Sequence, residues 1–216
     1  MIRAIPIVLA LALPCAALAQ APEATPAEAS VLPRLIEAIC VDLFDGPSCE
    51  QAFLLRSETL DGMADLLVQS GGPEDPLIVA RDLVFHGDFD GQFARIEAGT
   101  DHTLLIHSEQ TSHGRHPWFE TLTVAVHDDA LRVVRWHMSS YDRPTGGGFS
   151  CDVDLTTGIW RVSAERTDPE TGETTHDWDE TGRAAPDPTE LIWWSYREPP
   201  THCDAVQGLG KVMVNV

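Results

Sequence analysis

The chain has 216 residues, with 34 acidic against 14 basic side chains, a formal net charge of −20 at pH 7 and 43% hydrophobic residues. That length and apolar content suffice for one substantial core. The negative surplus repels nucleic-acid phosphates and anionic lipid headgroups, which argues against DNA, RNA or a membrane surface as partner and leaves a basic protein, a metal cation or plain solubility.

Met1-Ile2-Arg3, the uncharged apolar run Ala4 to Leu18 and Ala17-Leu18-Ala19 before Gln20 have the layout of a cleavable secretory signal peptide over residues 1–19. The run is short for a membrane span and no positive charge follows it, so no stable membrane anchor is expected after cleavage. Pro14 before Cys15 does not resemble the small residue of a lipobox. The expected location is periplasmic or secreted. Residues 20–30 contain Ala, Pro, Glu, Thr and Ser but no large apolar residue, which predicts a disordered leader. A single domain is expected over 31–216.

From Val31, residues Leu32, Leu35, Ile36, Ile39 and Leu43 fall at helical spacing, with Ser30 as N-cap and Asp45-Gly46-Pro47 as stop. Ser48 and Gln51 form a capping box ahead of Ala52, Phe53, Leu54 and Leu55, and a third helical stretch is expected from Glu58 to Gln69, ending at Gly71-Gly72-Pro73. After Pro76 the rhythm becomes β-like. Leu77 to His86, Gln92 to Glu97 and Thr103 to Ser108 are expected strands. The clearest hairpin pairs Leu122, Val124 and Val126 with Val134, Trp136 and Met138 across His127-Asp128-Asp129-Ala130. Phe149, Cys151, Val153 and Leu155 alternate, Thr157-Gly158 turns, and Trp160, Val162 and Ala164 continue the pattern. A polar turn over 168–173 precedes Thr174 to Glu180, and the segment around Leu191 to Tyr196 reads as strand despite the helix-start look of Asp187-Pro188-Thr189-Glu190. The expected class is therefore α+β: an N-terminal helical hairpin of two to three helices packed on a mainly antiparallel sheet of roughly seven to nine strands.

Beyond Cys15, four cysteines remain: Cys40, Cys49, Cys151 and Cys203. An even number in an exported chain predicts disulfides, and the spacing favours Cys40–Cys49 and Cys151–Cys203. No C-x-x-C occurs, which removes support for a thioredoxin-like site or a zinc ribbon.

His86 to Glu97 nearly fits a twelve-residue calcium loop, but His86 supplies nitrogen where a hard cation wants oxygen, and Asp and Gly serve a hairpin turn equally well. His107, Glu109, His113 and His116 crowd into ten residues and could ligate a divalent metal such as zinc, copper or nickel, although a loop does not preorganise them. Gly148-Phe149-Ser150-Cys151-Asp152 is not a nucleophile elbow, and Gly208-Leu209-Gly210-Lys211 is too short for a phosphate loop. Trp136 and Trp160 share faces with core residues, whereas Trp178 and one of Trp193 or Trp194 suit a surface. No cofactor follows from the sequence. The expected function is a non-enzymatic binding, inhibitor or immunity-like protein meeting a basic protein partner. The alternatives are a secreted hydrolase with dispersed His and acidic residues, or a metal-binding protein using the loop histidines.

Overall fold

Leu35–Val41 is an extended strand, and the helical hairpin expected at the N-terminus does not form. The computed structural model describes residues 31–46, 48–69, 77–168, 170–194, 196 and 200. The expected signal peptide and leader, the 71–73 stop, Cys203 and the 208–211 segment lie outside the described residues. The strands are β1 (Leu35–Val41), β2 (Glu50–Arg56), β3 (Met63–Gln69), β4 (Leu77–Phe85), β5 (Gln92–Ala98), β6 (Leu104–Gln110), β7 (Trp118–His127), β8 (Ala130–Tyr141), β9 (Gly148–Asp154), β10 (Ile159–Thr167), β11 (Thr174–Arg183) and β12 (Thr189–Glu190). The helical elements among the described residues are two three-residue 3₁₀ turns, Leu32–Arg34 and Leu191–Trp193. The α+β class is thus corrected to an all-antiparallel β architecture. No helix among the described residues is long and apolar enough to cross a membrane.

The correction has a local cause. An apolar run of seven residues satisfies helical and extended patterns alike, so periodicity cannot decide between them. Turn chemistry can. Asp61-Gly62 lies between β2 and β3, with Gly62 at φ +79°, and Asp-Gly flanked by apolar runs is a strong hairpin signal. Asp65 blurs the remaining pattern further. Its carboxylate accepts from the Asp82 amide at 2.9 Å where β3 and β4 shift register, and Arg34 and Arg81 pair with it. The residue is buried and charged on a strand that would otherwise read as apolar.

Four strands pair in the order β1-β2-β3-β4, and β11-β10-β9-β8-β7-β6-β5 form the larger sheet, with β12 added to β8. Among the described residues, sequence neighbours within each sheet pair antiparallel, so short turns join them. The β7–β8 turn puts Asp128 and Asp129 at φ 50° and 59°, the left-handed conformation that two-residue hairpins need. One core joins both sheets: Leu54, Leu66 and Val84 from the smaller, Ile106, Leu122 and Trp136 from the larger. The sheets meet where Glu37 on β1 accepts the Ile96 amide of β5 at 2.7 Å, and buried Leu191 anchors the C-terminal turn.

Cys40 and Cys49 are disulfide-bonded across the β1–β2 connection, with Cα atoms 5.5 Å apart. Cys151 is also disulfide-bonded; its expected partner, Cys203, lies outside the described residues. Closing so short a loop constrains the unfolded chain modestly. Replacing both Cys40 and Cys49 by serine is expected to cost about 2–3 kcal/mol of stability, measured by urea unfolding.

Candidate functional site

Strands β7, β9 and β10, and β8 from Arg135 onward, alternate between two faces; an irregularity at Val134 changes the parity of β8. On β7, Glu120, Leu122 and Val124 point into the core while Phe119, Thr121 and Thr123 point out. On β8, Trp136 and Ser140 point in and Arg135, His137, Ser139 and Tyr141 point out. Register then aligns the outward residues in rows. Phe119 lies opposite Ser139, Ser139 opposite Ser150, and Ser150 opposite Ser163. One row further along, Tyr141 faces Gly148 and Gly148 faces Glu165.

These rows line a shallow open groove of about 250 Å³, walled by Phe119 and Tyr141, floored by Ser139, Ser150, Ser163 and the glycines of the β8–β9 loop, and edged by Glu165. Phe119 and Tyr141 are 36% and 40% exposed. Ser150 and Ser163 share a hydroxyl hydrogen bond of 2.8 Å. Glycine keeps the floor low: a Cβ at Gly148 would meet the Ser140 carbonyl at 2.9 Å.

The rim is braced by ion pairs. Arg115 donates two hydrogen bonds to Asp142, at 2.5 and 2.7 Å, and Thr145 donates a third. The Arg115 hydrogen bond is the main reason the Asp142 carboxyl sits at about 2, well below the usual range. Arg143 donates to the Thr111 carbonyl, so the β6–β7 and β8–β9 loops are tied together.

Beside the groove, His137 Nδ1 lies 3.4 Å from Asp152, which also accepts from Arg135. Burial works to raise the Asp152 carboxyl, but hydrogen bonds from His137 and Arg135 outweigh it and hold it below its ordinary value. A histidine–carboxylate pair near serines invites a hydrolase reading. However, Ser150 sits on β9, which is paired on both sides, so the surrounding amides are spent on the ladder and cannot form an oxyanion hole.

Directly beneath the groove, Glu120 is only 5% exposed. Trp136 Nε1 donates to it at 2.7 Å and Ser108 Oγ at 3.3 Å. Burial pushes its carboxyl up to about 7, against the pull of those two hydrogen bonds. Tyr196, stacked near Phe85 and Trp118, is pushed up to about 12 by its own burial and then by the Glu120 charge.

The sequence-derived metal residues are not gathered. His107 contacts Thr121 at 3.0 Å and Glu97 at 3.3 Å; Glu109 accepts from Thr111; His113 contacts Ser112 and lies 5.1 Å from the Phe89 ring; His116 is 4.0 Å from Asp142. Among the described residues, the ligand-type cluster is instead Asp42, Asp45 and His102. There His102 Nδ1 faces Asp42 at 3.2 Å and Nε2 faces Asp45 at 3.8 Å, an imidazole bracketed by two carboxylates. The calcium-like segment is the β4–β5 connection, which passes from the smaller sheet to the larger and is not the hairpin turn the sequence suggested: Asp88 pairs with Arg56 and buried His86 accepts the Ala94 amide. Trp136 is in the core with Trp160 packed against it, Trp178 also packs there, and Trp193 is 73% exposed while Trp194 is buried. The signal for Glu120 was available, since it shares parity with Leu122, Val124 and Val126. The serine row had none, because only register unites it.

No protein-family model, curated protein or solved structure matches this chain.

Glu120 generates a pH prediction. Its carboxyl is at 4.5 in the unfolded chain and at about 7 when folded, so the folded state binds the proton more tightly. The stability that the neutral acid contributes is complete below pH 4.5 and is lost as pH rises through about 7. Across that window wild type should lose about 3 kcal/mol relative to Glu120→Gln, measured by urea unfolding at pH 4.5 and pH 8.

Proposed function

We propose that the chain is an exported, non-enzymatic binding protein that meets a basic protein partner through the outer face of β7–β10. The observation that carries this reading is the groove itself: aromatic rings, hydroxyls and a carboxylate converge on an open sheet face whose amides are committed to the ladder. Such a surface suits recognition better than acyl transfer, which needs free donors aimed at a developing oxyanion.

Charge supports the choice of partner. Arg34, Arg56, Arg81, Arg95, Arg115, Arg132, Arg135 and Arg161 each pair with a carboxylate within the chain. With only 14 basic residues in all, that pairing leaves most of the acidic surplus for solvent or a cationic partner. The disulfides at Cys40–Cys49 and Cys151 support an oxidising compartment, in keeping with the signal-peptide layout.

The reading is tested by surface binding assays against purified secreted proteins, half of them basic and half acidic. Binding is expected for basic members, weakening about tenfold or more between about 50 and 200 mM salt, and Phe119→Ala should weaken it further. Equal binding of acidic proteins, or salt-independent binding, would contradict the partner class. Turnover of ester or peptide substrates that His137→Ala abolishes would contradict the non-enzymatic assignment.

A further inference from the structure

We propose that the outer face of the large sheet docks a proline-rich segment of the partner in polyproline II conformation, laid across the strands with prolines over Phe93 and Phe119 and carbonyls on the serine hydroxyls of the groove. This rests on the reading of that face as the recognition surface and names the kind of segment it takes.

The groove offers a ligand neutral chemistry. Among the described residues no lysine, arginine or histidine lines it, so an anionic ligand finds no countercharge. Glu165 has an interaction of its own within the chain and is not counted as an acceptor for a ligand. Hydroxyls and aromatic rings are left. Ser139 and Tyr141 bring hydroxyls that can donate, and the Ser150–Ser163 pair holds two hydroxyl protons, of which its 2.8 Å hydrogen bond uses one. A sugar's adjacent hydroxyls are matched by a two-oxygen group such as a carboxylate, and the carboxylate of this lining is the engaged Glu165.

The ways a protein captures a peptide are few, and the fold closes most of them here. Adding a strand is blocked, because β7, β8, β9 and β10 are each paired on both sides. A helix about 10–12 Å across would ride above a groove of about 250 Å³ and press its apolar stripe onto serines. An acidic or phosphorylated motif needs an arginine cluster, yet Arg115, Arg135 and Arg143 are held on Asp142, Asp152 and the Thr111 carbonyl. Capture of a chain-end carboxylate needs free amides, and Gly146 and Gly147 donate theirs to Asp142 and Thr145. A polyproline II segment has no internal hydrogen bonds and lacks an N–H at each proline, so it asks for hydroxyl donors and apolar rings. The face has both.

Spacing agrees with this ligand. Phe93 on β5 faces Glu109 on β6, and Glu109 faces Phe119 on β7, so the two exposed rings stand two strands apart, about 9.5 Å. A polyproline II helix repeats every three residues, or about 9.3 Å. A segment running across the strands therefore sets one position of each turn over a ring and then meets Ser139 and Ser150 in the same row. Charge selects what lies between the prolines: Glu109 stands between the rings in a chain of net charge −20, which calls for lysine or arginine there.

The test uses the full chain and three fluorescein-labelled peptides of equal charge, read by anisotropy: a threefold Pro-Pro-Lys repeat, the same sequence in D-amino acids, and a threefold Ala-Gly-Lys repeat. The L-proline peptide should bind at least about fivefold more tightly than either control, because it alone is preordered as a left-handed helix of the right hand and repeat. Phe93→Ala and Phe119→Ala should each lower that affinity by about fivefold or more, Phe119→Tyr should restore it, and thermal unfolding should show the variants folded. Equal binding of the three peptides would overturn the assignment, as would L-proline binding that ignores both alanine substitutions. Binding of a neutral linear glucan that Phe119→Ala abolishes, with no preference for the L-proline peptide, would overturn it in favour of a sugar. A basic partner protein that Phe119→Ala weakens, but that the L-proline peptide does not displace, would overturn the proline-rich ligand and leave the face as the recognition surface. A partner indifferent to Phe119→Ala would remove both.

Discussion

The hydrogen bond from Trp136 Nε1 to Glu120 fixes the register on which both faces of the large sheet depend. Over Trp118–Thr123 of β7 and Arg135–Tyr141 of β8, beyond the irregularity at Val134, residues alternate between the faces, so the inward row of Trp118, Glu120 and Ser140 dictates the outward row of Phe119, Ser139 and Tyr141. A slip of one residue would bury Phe119 and Ser139 and drive Glu120 into solvent. Burying a carboxylic acid without a cation is costly, and here it is tolerated because two donors satisfy the group and its proton is retained to near neutrality. The same bond therefore couples the interior to the groove: what holds Glu120 inside holds the aromatic wall and the serine floor outside.

Around that frame, charge is used twice. Within the chain, carboxylates orient arginines: Asp142 holds Arg115 at the groove rim, Asp152 holds Arg135 and Asp179 holds Arg161 along the adjoining outer rows. Exposed pairs of this kind contribute little to stability, about 0–1 kcal/mol each. Their consequence lies elsewhere. They occupy the cations that would otherwise neutralise the surface, and the Arg115–Asp142 pair, with the Arg143 hydrogen bond to the Thr111 carbonyl, ties together the two loops that bound the groove. The groove lies on strands whose backbone groups are paired within the ladder on both sides.

Legibility in the sequence followed the cover on each strand. The hairpin of Leu122, Val124 and Val126 with Trp136 and Met138 was readable because one face is packed and the other half exposed, which imprints a period of two. The Thr157-Gly158 turn and the 168–173 turn were readable from their residue types. The first three strands were not. β3 is buried along most of its length, Ile36 and Asp82 sit where pairing shifts, and these features erase alternation while leaving apolar spacings that a helix also satisfies. Asp61-Gly62 carries the contrary signal, a hairpin turn between β2 and β3. In the site, Cys40 and Cys49 were legible from spacing, and Glu120 was legible in principle from parity. The groove was not, because Phe119, Ser139, Ser150 and Ser163 become neighbours only through three successive registers.

The most direct test of the central claim, that the outer face of β7–β10 is the recognition surface, is hydrogen exchange of the full chain with and without a hepta-arginine peptide. Added protection is expected in the 142–148 loop and at the start of β7, with the core strands already slow in both states. Protection confined to the β11 edge or the 42–49 loop, with the groove unchanged, would contradict it.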